Sequence, residues 1–141
     1  MESNIGTVSR AITAPTRKGF APIMPVYANK NGPNPNPAEI AVAYKPNHGF
    51  FERWGSKGFE WLEETLDYIG NEHILIADAK RGDIGNTAKQ YAKSVFEYFG
   101  FDAVTVNPYM GSDAIHPFIS RPEKGAFILC RTSNPSAGEL Q

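Results

Sequence analysis

From Ile40 onward, short apolar runs and longer amphipathic stretches take turns along the chain. Ile40-Ala41-Val42-Ala43-Tyr44 leads into Lys45 and Pro46, and the proline ends that strand. Ile74-Leu75-Ile76-Ala77 runs into Asp78 and Lys80, and Ala103-Val104-Thr105-Val106 runs into Asn107-Pro108. Ala126 to Cys130 opens onto Arg131-Thr132-Ser133-Asn134. Apolar runs this short, bounded by polar residues and glycines, predict strands covered on both faces. Between them the spacing turns helical. Apolar positions 51, 54, 58 (a glycine), 61, 62, 66 and 69 predict one helix from Phe50 to Ile69, ended by Gly70-Asn71. Ile84, Ala88, Tyr91, Ala92, Val95 and Phe99 predict a second, closed by Gly100. Ser112 or Asp113 can cap a third, through Ile119, before the turn Arg121-Pro122-Glu123-Lys124-Gly125.

Strand ends recurring every roughly 25–35 residues, with a helix in each interval, imply βαβ units and a parallel sheet. A doubly wound sheet and a (β/α)8 barrel both keep that rhythm. No Gly-x-Gly-x-x-Gly or P-loop follows any strand, which weighs against a nucleotide-binding doubly wound sheet. Polar groups at every strand's carboxyl end favour the barrel. The expected fold is therefore a partial (β/α)8 TIM barrel of about four βα units over residues 38–141. Residues 1–37 hold six of the eleven prolines and no sustained periodicity, so an irregular leader is expected there. Asn31-Gly32-Pro33-Asn34-Pro35-Asn36-Pro37 cannot be helix or central strand, because proline lacks a donor and restricts the residue before it.

Composition narrows the function classes. With 14 basic and 15 acidic residues, the formal charge of −1 and the lack of a basic stripe argue against nucleic acid as a partner. No apolar run approaches the roughly 20 residues that span a bilayer, and no secretory h-region opens the chain, so a cytoplasmic location is expected. Cys130 is the one cysteine, which excludes an intrachain disulfide and argues against a thiolate metal site. Its apolar neighbours suggest a small buried hydrophobe. His48, His73 and His116 lack helical ligand spacing and read as loop or cap residues.

The chemistry gathers in Asp78-Ala79-Lys80-Arg81-Gly82-Asp83-Ile84-Gly85-Asn86-Thr87. On a regular strand Asp78 and Lys80 share a face, and Asp83 can cap the helix that follows. A surface ion pair and a helix cap would explain a lone Asp-x-Lys. The whole pattern Asp-x-Lys-Arg-x-Asp-Ile-x-x-Thr at a strand-to-helix junction is far more specific. It closely resembles the signature of the orotidine 5'-phosphate decarboxylases, in their longer bacterial form. Three further blocks, in the right order, resemble the same family: Ala43-Tyr44-Lys45-Pro46-Asn47, Val106-Asn107-Pro108-Tyr109-Met110-Gly111 and Arg131-Thr132-Ser133-Asn134-Pro135-Ser136.

The resemblance covers about the last hundred residues and implies a (β/α)8 barrel. Family members act as homodimers on orotidine monophosphate, without metal or organic cofactor, in the last step of UMP synthesis. Lys80 matches the lysine that protonates pyrimidine C6, and Asp78 the aspartate facing the departing carboxylate. Asp83 matches the aspartate contributed across the dimer interface. Lys45 resembles the lysine completing the charged row. Ile84 and Thr87 resemble residues that enter the partner's site, and Ser133 the serine touching the pyrimidine. Independently of the resemblance, decarboxylation leaves negative charge on carbon, so it calls for a fixed cation and a nearby acid. A lysine flanked by aspartates stays protonated and can be both.

A complete barrel needs about 250 residues and eight strands, and four are expected here, matching the family's strands two to five. The leader holds no Asp to supply the family's ribose contact. The chain is thus expected to be a fragment or a half-barrel that pairs, with both barrel edges open and little or no activity alone. Two other readings compete. One is a magnesium-dependent sugar-phosphate decarboxylase of the same superfamily, such as 3-keto-gulonate 6-phosphate decarboxylase. The other is a catalytically silent fragment that binds a partner.

Overall fold

The computed structural model of the chain describes residues 41–141, together with the backbone of β1 (Ile12–Thr13) and β2 (Pro22–Tyr27). These eight leader residues are strand where the sequence offered no periodicity. The Asn31 to Pro37 segment lies outside the described residues. Contacts divide the chain into two units, residues 1–78 and 79–141.

In the first unit β3 (Ala41–Pro46) buries Ala41, Ala43, Tyr44 and Pro46. One edge of β3 pairs in parallel with β4 (Ile74–Arg81), setting Ala43 beside Ile74 and Tyr44 beside Leu75. The same register continues to a bridge between Asn47 and Asp78. The other edge pairs antiparallel with β2, from Ile23 opposite Pro46 to Ala43 opposite Val26, with an irregularity between Val26 and Tyr27. The expectation of an open edge is therefore corrected on this side: a strand of the leader satisfies it.

Asn47 begins α1 (His48–Glu52), its side-chain oxygen accepting from the Gly49 N–H at 3.0 Å. The single helix expected from Phe50 to Ile69 is broken. α1 ends in a turn at residues 53–55, where Gly55 has φ +60°, and α2 (Ser56–Ile69) starts beyond it. The corner is tight, since a Cβ on Gly58 would lie 1.8 Å from the Phe51 carbonyl oxygen. Phe51, Gly58, Leu62 and Leu66 are buried, as the expected stripe has them, and Thr65, outside that stripe, is buried too. Trp54 leaves it: 49% exposed, it packs edge-on against Trp61 at 5.9 Å with the Arg53 guanidinium over its ring. The turn has rotated it off the helix face. His73, just before β4, meets Tyr44 edge-on at 5.0 Å.

The second unit begins with the end of β4. It continues through α3 (Gly85–Lys93), a wide π turn (Ser94–Tyr98) and β5 (Ala103–Val106). α4 (Ser112–Ile119), β6 (Gly125–Ile128) and a 3-10 turn (Pro135–Glu139) complete it. Ala88, Ala92, Val95 and Phe96 face the core with Phe101, Ala114 and Phe118, and all four β5 residues are buried. The Phe96 and Phe118 rings meet edge-on at 6.4 Å. Each such fully buried ring contributes about 2–3 kcal/mol. Phe99, expected on the buried face, is half-buried, and Phe96 takes its place. In the wide turn the Phe99 N–H reaches the Ser94 carbonyl at 3.0 Å, five residues back, which displaces the helical register.

β5 and β6 pair in parallel, from Ala103 beside Gly125 to Val106 beside Ile128. Gly125 permits this approach, since a Cβ there would lie 3.1 Å from that of Ala103. Phe127 stays 54% exposed, and Cys130, expected to be buried, is exposed as well. The strand stops at Ile128, short of it. His116 sits within α4 rather than in a loop, and Gly111, not Ser112 or Asp113, occupies the cap position of that helix. No helix among the described residues is long and apolar enough to cross a membrane. Helices alternate with strands in both units. One βα step leads from β3 to β4 in the first and two lead from the end of β4 to β6 in the second, and this gives the partial barrel expected from the sequence.

Candidate active site

The carboxyl end of β4 carries the charged residues singled out in the sequence. In the first unit, β3 and β4 run side by side in a fixed register, and this sets Lys45 diagonally from Asp78. The Lys45 Nζ donates to Asp78 Oδ2 at 3.1 Å. The two side chains are 28% and 7% exposed, so the carboxylate is buried while the ammonium reaches solvent. A carboxylate held this deep needs a cation, and Lys45 supplies it.

In the second unit the strand ends abruptly. Lys80 has φ +46°, and no other described residue except glycine has positive φ. Alternation of faces is a property of β-region backbone, so it does not by itself fix the direction of the Lys80 side chain. The Lys80 N–H donates to Thr105 Oγ1 on β5 at 2.9 Å. One residue on, the Arg81 carbonyl accepts from the Asn107 N–H at 2.8 Å. Gly82 passes so close that a Cβ would sit 3.0 Å from the Asn107 carbonyl oxygen. Asn107 itself begins a turn, its Oδ1 accepting from the Tyr109 N–H at 3.0 Å. The Arg81 guanidinium lies 5.1 Å from the Tyr91 ring centroid, tying the strand end to α3.

Asp83 is not the helix cap that its position suggested. Its Oδ1 accepts from the N–H of Ile84, the very next residue, at 2.8 Å. Ile84 holds the cap position with extended backbone and no side-chain cap bond, and Gly85 turns the chain into α3 with φ +54°. Ile84, at 54% exposed, and Thr87 both face solvent at the start of α3. Ser133 lies exposed in the irregular segment between β6 and the 3-10 turn. The structure thus joins Lys45 to Asp78 in one unit, and places Lys80, Asp83, Ile84 and Thr87 along one strand-to-helix connection in the other.

Thr105 and Asn107 were not singled out as partners of the strand end. The signal for Thr105 was present: a hydroxyl amid Ala103, Val104 and Val106, at 8% exposure, needs a hydrogen-bond partner. Among the described residues no three His, Cys, Asp or Glu side chains are grouped to hold a metal ion.

Comparison with known proteins places this arrangement in a family. The profile of the "Orotidine 5'-phosphate decarboxylase / HUMPS family" matches residues 36–141. The orotidine 5'-phosphate decarboxylase of Roseiflexus castenholzii is 52% identical over 103 residues, which are 73% of this chain and 38% of that protein. The Dehalococcoides mccartyi protein of the same name is 51% identical over 104 residues, covering 74% and 38%. The solved structure of Leishmania donovani OMP decarboxylase superposes with a TM-score of 0.71 at 46% identity, over 73% of this chain and 41% of that one. Leishmania donovani UMP synthase gives 0.69 at 46% identity, over 72% and 23%. The chain spans about two fifths of the length of the curated relatives it matches. With four sequence blocks, a partial barrel and a profile match over most of its length, the chain belongs to the orotidine 5'-phosphate decarboxylase / HUMPS family.

Proposed function

We propose that this chain is the catalytic segment of an orotidine 5'-monophosphate decarboxylase, converting orotidine monophosphate to UMP and carbon dioxide. The observation that carries the reading is the Lys45 to Asp78 pair, in which a buried carboxylate meets a cation at the end of a barrel strand just before Lys80 and Asp83. Barrel enzymes place their chemistry at strand carboxyl ends.

In this reading the bond between pyrimidine C6 and the carboxylate carbon breaks, and its electron pair remains on C6. The Lys80 ammonium stabilises that charge and then gives C6 a proton, after which Lys80 regains a proton from solvent. Asp78 faces the leaving carboxylate, so that loss of carbon dioxide relieves a repulsion. Lys45 donates to the Asp78 carboxylate and orients it. Ser133 contacts the pyrimidine. Asp83, Ile84 and Thr87 enter the site of a second copy, a role that suits the exposure of Ile84 and Thr87. The working unit is then a homodimer in the cytoplasm, with no nucleic-acid partner and no cofactor.

Grafting residues 36–141 in place of the matching segment of the Roseiflexus castenholzii relative tests the reading. The chimera is expected to consume orotidine monophosphate after chelation, and Lys80→Ala in it to abolish turnover. A folded chimera that requires magnesium, or prefers a sugar phosphate, favours the sister decarboxylase. One that binds UMP without turnover favours a silent fragment. Alone, the 141 residues are expected to show very weak turnover or none, because binding energy from the rest of the substrate organises the reacting end.

A further inference from the structure

We infer that Thr105 is a positioning residue: its hydroxyl holds the Lys80 backbone in the left-handed conformation that aims this lysine. The importance of aiming Lys80 rests on the decarboxylase reading, while the backbone device stands on geometry alone. A left-handed conformation costs a non-glycine residue roughly 1–2 kcal/mol, and persists only where its surroundings over-determine it. At Lys80 those surroundings lie on β5. Thr105 Oγ1 takes the Lys80 N–H at 2.9 Å, where a regular parallel ladder would use a backbone carbonyl. Just past the end of β5, the Asn107 N–H donates to the Arg81 carbonyl at 2.8 Å. Both groups of the Lys80–Arg81 step are thereby fixed from one neighbouring strand. Thr105 is well suited to the task, since β5 is buried throughout and its hydroxyl cannot turn to water instead. A threonine chosen only for packing would be equivalent to valine, which has the same shape without the oxygen.

The test uses the full chain, labelled with nitrogen-15, and three variants. Thr105→Ser keeps the acceptor and loses the methyl, whereas Thr105→Val keeps the shape and loses the acceptor. Thr105→Cys keeps the size and offers a poor acceptor. Thr105→Ser is expected to preserve both slow exchange of the Lys80 amide and the coupling constant of a positive φ. Thr105→Val is expected to speed that exchange about tenfold, the equivalent of one hydrogen bond, and to move φ to negative values. Should Thr105→Val fail to fold, Thr105→Cys is expected to give the same change. Wild-type exchange and φ at Lys80 in either acceptor-poor variant would overturn the inference and leave the decarboxylase reading intact. In the chimera described above, Thr105→Val is expected to lower kcat at least tenfold with KM little changed, and Thr105→Ser to restore it. An equal loss in Thr105→Ser would assign Thr105 to packing.

Discussion

The Lys45 ammonium lies 3.1 Å from the Asp78 carboxylate and ties strand β3 to β4 at their polar ends. Because Asp78 is buried, removing Lys45 takes away one of the groups that offset its charge. Lys45→Met is expected to lower unfolding free energy by about 1–3 kcal/mol, the low end reflecting the solvent access of Lys45. Lys45→Arg is expected to lose less. Urea titration checks both, and a Lys45→Met chain as stable as wild type would show that the pair does not hold the strands.

Gly58→Ala probes the corner between α1 and α2. An added methyl would meet the Phe51 carbonyl oxygen at 1.8 Å, and both groups belong to backbone that is already packed. A loss of about 2–3 kcal/mol is expected, against a slight gain for the same change at an open helical position. Thermal unfolding followed by circular dichroism distinguishes the two signs.

Lys80→Gly separates stability from chemistry. Glycine populates positive φ without a Cβ penalty, so the variant is expected to gain about 0.5–1 kcal/mol in urea while any decarboxylation is lost. A destabilised Lys80→Gly would mean that the side chain contributes more to packing than its backbone strain removes.

β6 presents Phe127 to solvent with one strand partner among the described residues. An exposed apolar strand of this kind invites association. Phe127→Lys is expected to shift sedimentation toward the monomer, with stability changed by less than about 0.5 kcal/mol. Unaltered sedimentation would place any association surface elsewhere.

What the sequence announced, and what it hid, divides along a physical line. β3, β4 and β5 were legible because short, mostly apolar runs end abruptly in polar residues or proline, a strictly local signal. The break at residues 53–55 was not, because it depends on the Gly58 backbone resting on Phe51, a contact that periodicity cannot register. Asp83 had the spacing of a cap, yet the positive φ of Gly85 delays the helix and leaves the carboxylate to its neighbour Ile84. Alternation along β4 suggested one face for Asp78 and Lys80, and the left-handed Lys80 removes the premise. β2 escaped notice because Pro22 and Pro25 argue against a strand, although a proline at the first strand residue is tolerated. Lys45 was singled out at its strand end, but its contact with Asp78 was not, because the pairing register that brings the two together is not written in either strand alone.

The wide turn at Ser94–Tyr98 has a bearing on how the chain passes from helix to strand. Each residue of an α-helix advances the chain by about 100° of rotation, so one extra residue normally swings everything downstream out of place. Here the surplus is absorbed in a single loop of backbone hydrogen bonds, and β5 still arrives in register with β6. Within this turn Phe96 is the ring set against Phe118, at 6.4 Å. The turn thus resets the winding of the chain ahead of β5, whose Thr105 bonds the Lys80 backbone.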